Sequence, residues 1–236
     1  MTEPAAVALA FFDPAHGLHG SLRSGLTLLF EHGRPQALPE GSDVTRKKDR
    51  YRAALGNRFD LEFDPVSGPL DLDGASARLC RVRGTVGSVK VDCLGTVTET
   101  VTAPAWEELD ALRGVSALFD GDHAVVALAR RPRGALGHGE ERVIAWLLAG
   151  GDPKQVRDAR ISTVYDGEGR QRTAGLELWL PGEDFPRRAS GTAVAGTTLA
   201  LDGLHVNAAV FSWRMEGRDG AGAYELTVRD EPPEAA

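Results

Sequence analysis

The sequence predicts an all-β protein, an antiparallel meander that closes into a barrel or folds into a sandwich and carries one short helix. Three observations support this. Residues 89–102 alternate: Val89, Val91, Cys93, Gly95, Val97, Glu99 and Val101 share one face, and Lys90, Asp92, Leu94, Thr96, Thr98, Thr100 and Thr102 the other. Such alternation marks a strand lying half in a core and half in water. The last third of the chain repeats short strand-like runs joined by Gly-containing turns, as in a barrel or sandwich. Strands do not alternate with long helical patterns, which argues against a doubly wound parallel sheet.

Taken in order, the candidate strands of the first half are 7–12, 26–30, 59–63, 77–82 and 89–102. The short helix is expected at 105–112. Pro104 precedes it, and Glu107 and Glu108 occupy its first turn, where the helix dipole favours negative charge. Residues 115–119 and 124–129 form a hairpin around Asp120, Gly121 and Asp122. Strands at 143–149, 161–165, 173–180, 197–201, 204–215 and 223–228 follow. Their turns at 166–169, 202–203 and 217–220 contain glycines that supply positive φ. No internal repeat is evident.

Between Arg130 and Glu141 the composition shifts from apolar residues to Gly, Pro and charge. The expected organisation is an N-terminal barrel or half-barrel at 1–130, a connection at 131–141, a C-terminal barrel at 142–230 and a disordered tail at 231–236. The connection is either a linker between sheets or a loop at a cavity mouth.

With 236 residues the chain is long enough for one large β domain or two small ones packed together. A net charge of −7 argues against nucleic-acid binding, which needs a surplus of Lys and Arg. The basic run at 46–52 is either a solvated face or a docking patch for an acidic ligand or partner. Residues 5–12 are apolar but lack a basic leader, so they read as a first strand and not a secretory signal. No apolar run reaches the roughly 18–20 residues that span a bilayer, so a cytoplasmic location is expected. Cys80 shares a face with Val82, and Cys93 with Val91, which favours buried thiols over a disulfide framework; a bridge between adjacent strands stays open. Two cysteines give no structural zinc site.

The run FSWRMEGRDGAGAYE at 211–225 resembles the end of a tandem lipocalin-like superfamily that includes the carotenoid 1,2-hydratases (hydroxyneurosporene synthases). It presents an aromatic strand ending in Trp213, a Gly turn, and a second Gly-X-Gly leading to Glu225. The hairpin VYDGEG at 164–169 with Leu176 and Leu178, and the start FDP at 12–14, fit the same pattern. The resemblance implies lipocalin-like barrels around an apolar pocket and a hydrophobic small-molecule ligand, isoprenoid or polyketide-like. It implies hydration, isomerisation or cyclisation without a cofactor, or else a non-catalytic carrier of such a ligand.

Glu99 is the candidate catalytic residue. It falls on the apolar face of its strand, where an ionised carboxylate is costly without a partner. In an apolar cavity it could give or take a proton. In the alternative reading it pairs with Arg81 or Arg83, or Gly95 hosts a bulge that turns it outward. Phe211, Trp213, Trp179 and Trp146 are candidate ligand-contacting aromatics; each could equally be plain core. His16 and His19 flank Gly17 in a loop-like stretch, with spacing that suits a ligand contact better than a metal, because no third ligand follows. Glu225 is expected to face water or clasp Arg214. No phosphate-cradling loop is present, since Gly137 and Gly139 lack the strand, helix and Lys context.

Overall fold

The computed structural model describes residues 4–136 and 140–229. Gly137, Gly139 and the expected tail at 231–236 lie outside the described residues. The first sheet holds β1 (Ala6–Asp13), β2 (Leu18–Leu22), β3 (Thr27–Glu31), β4 (Arg34–Leu38), β5 (Asp43–Lys47), β6 (Arg50–Leu55), β7 (Phe59–Pro65), β8 (Leu70–Asp71), β9 (Ala75–Val86) and β10 (Val89–Thr100). The second holds β11 (Leu109–Leu118), β12 (His123–Pro132), β13 (Arg142–Ala149), β14 (Asp152–Gln155), β15 (Asp158–Tyr165), β16 (Gln171–Trp179), β17 (Arg187–Leu201), β18 (Leu204–Met215) and β19 (Arg218–Arg229).

Strand order in the first sheet is β4-β3-β2-β1-β10-β9-β7-β6-β5, with β8 added to β9. In the second it is β14-β13-β12-β11-β19-β18-β17-β16-β15. The two paths are the same: four strands meander outward, and the last strand of the unit returns beside the first. The molecule is therefore a tandem of two curled antiparallel sheets, a duplication with no visible trace in the sequence. Curling brings the ends of the second sheet together, where Val156 N–H donates to Ala145 O at 2.9 Å and Arg157 N–H to Trp179 O at 2.8 Å.

The period-two pattern divides the apolar residues among three cores. Leu9, Phe11, Leu61, Phe63 and Val97 fill the inside of the first sheet. Val125, Leu176, Phe211, Trp213 and Tyr224 fill the second. Between the sheets, Phe12, Leu28, Phe30 and Leu79 pack on Leu118, Val126, Leu148 and Val210. Adjacent residues thus serve different cores, Phe11 an interior and Phe12 the layer between, and each such burial contributes roughly 1.5–3 kcal/mol.

The strands expected in the last third all overlap observed ones, but β14 and the first ten residues of β17 were not expected, and β19 begins at Arg218 inside the turn expected at 217–220. The expected helix at 105–112 does not form, and no α-helix occurs among the described residues. Residues 105–108 make one turn, closed by Glu108 N–H to Ala105 O at 2.9 Å, and β11 begins at Leu109. A helix of eight residues is marginal alone. Here β12 and β19 satisfy the backbone on both sides, while Leu109, Ala111, Val115 and Ala117 turn inward with period two. Likewise, the change of sheet falls at 101–108, not at 131–141. The latter segment joins β12 to β13, which pair within the second sheet from His123–Ala149 to Arg130–Arg142. Its described Pro132, Gly134 and charged residues stand where the β12–β13 pairing ends. No helix among the described residues is long and apolar enough to cross a membrane.

Candidate functional site

Glu99 lies near the end of β10, with Val7 of β1 opposite it on one side and Ser76 of β9 on the other. It is only 9% exposed and points into the first sheet's interior, on the face occupied by Val97. Two groups from the β5–β6 hairpin reach it. Arg46 Nη1 donates to Glu99 Oε1 at 2.8 Å, and the Tyr51 hydroxyl donates to the same oxygen. Arg46 and Tyr51 are cross-strand partners, which stacks the guanidinium 5.4 Å from the centre of the Tyr51 ring. Burial, followed by the hydrogen bond to Glu99, raises the Tyr51 pKa well above the ordinary phenol range and keeps the hydroxyl protonated. Arg78 of β9 extends from the same interior face as Cys80 and Val82, and its charge acts on Tyr51.

The sequence places a carboxylate on an apolar face, and the structure supplies a different partner from those expected. Arg81 and Arg83 point outward and pair with Asp92. Arg46 belongs to the basic run read as a solvated face or docking patch, and it turns inward because its parity on β5 matches that of Val44. Tyr51, on the buried face of β6 with Ala53, is legible only once β6 is recognised as a strand.

The remaining candidates do not converge on Glu99. Phe211 and Trp213 are fully buried in the second sheet's interior and stack at 5.2 Å between ring centroids. Trp146 sits in the layer between the sheets, where its Nε1 donates to Asp71 O at 2.7 Å. Trp179 faces the other side of β16 from Leu176 and Leu178, under the Arg160 guanidinium at 5.0 Å. His16 is half exposed and bonds Asp13 through Nδ1 at 2.7 Å. His19 is buried beside Phe12, and its Nδ1 has no hydrogen-bond partner. Glu225 neither faces water nor clasps Arg214; it reaches the first sheet, where Arg23 Nη2 bonds both its oxygens at 3.0 and 2.8 Å. Both cysteines are free thiols, with pKa values pushed up to about 12 chiefly by burial.

A second polar group, not anticipated from the sequence, lies inside the second sheet. Arg113 of β11 pairs with Glu141, both side chains 5% exposed. Its Nη1 also donates to Ile161 O, Thr163 Oγ1 and the Tyr224 hydroxyl, at 3.1, 3.3 and 3.1 Å. The signal was the same as for Glu99, a charge among alternating apolar residues, but reading 105–112 as a helix hid it. Each nitrogen of this guanidinium has an acceptor, which offsets the cost of burying the charge. At the other end of the same sheet's interior, Phe119, Leu147 and Met215 with His123, Arg187 and Arg218 line a solvent-open cleft of ≈ 240 Å³. Much of that space is open solvent, and the enclosed part, ≈ 10 Å³, is far below the roughly 300–1,000 Å³ of small-molecule sites.

Two curled sheets of one topology, each with an Arg–Glu–Tyr group on its interior side, define a tandem lipocalin-like β protein. No protein-family model matches the chain, and no curated protein sequence matches it. Solved structures do. A candidate AttH from Nitrosomonas europaea superposes with a TM-score of 0.64 at 14% identity, over 95% of this chain and 92% of that one. CghA gives a TM-score of 0.62 at 11% identity, over 98% and 90%. Kievitone hydratase from Nectria haematococca gives 0.59 at 9% identity, over 97% and 89%. The chain shares their tandem lipocalin-like fold along nearly its whole length.

Proposed function

We propose that the protein binds a hydrophobic small molecule, isoprenoid or polyketide-like, at the end of the first barrel closed by Glu99, and moves a proton on it without a cofactor. The observation behind this reading is the contact of a protonated Tyr51 hydroxyl with a buried carboxylate over an apolar interior. A carboxylate within reach of a substrate proton can take it as a base and return it as an acid. Glu99 therefore takes a proton from a substrate carbon or from water and returns it in a second step, as hydration, isomerisation or cyclisation requires. Tyr51 hydrogen-bonds the oxygen that gains or loses charge. Access runs past β5. This edge strand pairs only with β6, is anchored at its start where Ser42 N–H donates to Arg23 O at 2.8 Å, and is latched at its far end by Arg46 on Glu99. The hydratase among the structures of similar fold fits this reaction class.

The test works whichever product forms. Isoprenoid and polyketide-like olefins are incubated with the protein in deuterium oxide and analysed by mass spectrometry. The expected result is deuterium incorporation that falls by about 10²-fold or more in Glu99→Gln and in Tyr51→Phe, with ligand affinity kept. Incorporation at the wild-type rate in Glu99→Gln would remove the residue from the mechanism. A second reading, a non-catalytic carrier, is favoured by the Arg46 and Tyr51 contacts that hold Glu99 as a paired carboxylate. It requires tight binding with the ligand recovered unlabelled and intact.

A further inference from the structure

We propose that Arg78 selects ligands that carry an anionic oxygen group, a carboxylate in the simplest case, on an otherwise apolar body. This rests on the reading of the first barrel as a ligand site and names the chemical class that the site takes. Arg78 projects from β9 opposite Val97, on the interior face with Cys80 and Val82. Its side chain is half-buried, and its Nε is buried with no hydrogen-bond partner. Among the described residues its guanidinium makes no ion pair, whereas Arg46, Arg113 and Arg23 hold Glu99, Glu141 and Glu225.

Glu99 does not fill this role, because Arg46 and Tyr51 already converge on its Oε1. The barrel end thus collects Arg46 and Arg78 against one carboxylate, a surplus of one positive charge beside a protonated phenol. Leaving the buried Nε of Arg78 without an acceptor is unfavourable, and a guanidinium's planar donor pair matches two carboxylate oxygens. A ligand whose carboxylate meets Arg78 supplies the missing acceptor, and it sets the apolar remainder against the mouth around Val7, Glu99 and Tyr51.

The test compares cis-parinaric acid with its methyl ester, two fluorescent probes of equal length and different head charge, on the full chain. The expected result is that the acid binds at least about tenfold more tightly than the ester. Arg78→Gln should lower the affinity for the acid to that for the ester and leave the ester unchanged, and Arg78→Lys should restore part of the difference. Equal affinities in the wild-type protein, which needs no variant to fold, would overturn the proposal. So would an acid preference retained in Arg78→Gln. Ester binding without acid preference defeats this inference alone, while binding of neither probe defeats the apolar-ligand reading with it.

Discussion

His19 shows how one buried side chain sets a pH limit on the whole fold. Burial lowers its pKa from the ordinary 6.5, and the nearby Asp13 charge only partly offsets that. Unfolded, the imidazole takes up a proton near pH 6.5; folded, it resists, so the unfolded state binds more protons as pH falls. Stability from this group is fully present above pH 6.5 and declines below it. The thermal midpoint should drop between pH 7.5 and 5.5 by scanning calorimetry, and His19→Gln should flatten that slope. A slope unchanged in the variant would assign the effect elsewhere. The carboxylates whose pKa values are lowered by arginine partners, Asp60 and Asp92, act only at more acidic pH. Residue-scale reading succeeded for Glu99 because a charge among valines is conspicuous. It failed for Arg46 and Arg78, since which basic side chain turns inward depends on strand parity, and that depends on where each strand begins.

At the scale of single elements, glycines record where strands approach too closely for a side chain. A Cβ at Gly222 would collide with the Ser116 carbonyl of β11, and one at Gly220 with the Leu118 carbonyl. Both glycines lie on β19 where it crosses β11, next to the interruption in pairing between Val115–Tyr224 and Leu118–Ala221. The Gly-X-Gly of 220–222 is thus a packing requirement of the strand that joins the two halves of the second sheet, pairing with β11 and β18. Gly222→Ala should cost more than about 2 kcal/mol by urea denaturation, because backbone must shift. Gly217→Ala, in a turn at φ +79° with open space around it, should cost only about 1 kcal/mol. Comparable losses at both sites would show that the crossing tolerates a methyl group. The element that misled the sequence reading was 105–112, where Pro104 and two glutamates imitate a helix start. A turn entering a strand uses the same residues, and pairing with β12 and β19 decided between them.

For the molecule as a whole, the layer between the sheets couples two units that could otherwise melt apart. Phe12, Phe30 and Leu79 of the first sheet share that layer with Leu118, Val126 and Val210 of the second. Arg23–Glu225, Trp146–Asp71 and the Arg130 hydrogen bond to Leu72 tie its rim. Thermal unfolding should therefore be one transition, with far-UV circular dichroism and tryptophan fluorescence coincident. Phe12→Ala should lower stability by roughly 3–5 kcal/mol while keeping the transition single. Two separated transitions in the wild-type protein would mean the layer is too weak to couple the halves.

Local chemistry by itself determined that this chain is all-β, where most of its last strands lie, that its thiols are free and that Glu99 faces an apolar interior, because a two-residue period and turn glycines act over a few neighbouring positions. Tertiary structure alone decided the duplication, the point at 101–108 where the chain changes sheets, and the partners Arg46, Tyr51, Arg23 and Glu141. Those depend on pairing between strands tens of residues apart, where many sequences satisfy the same backbone ladder and leave no repeat to read.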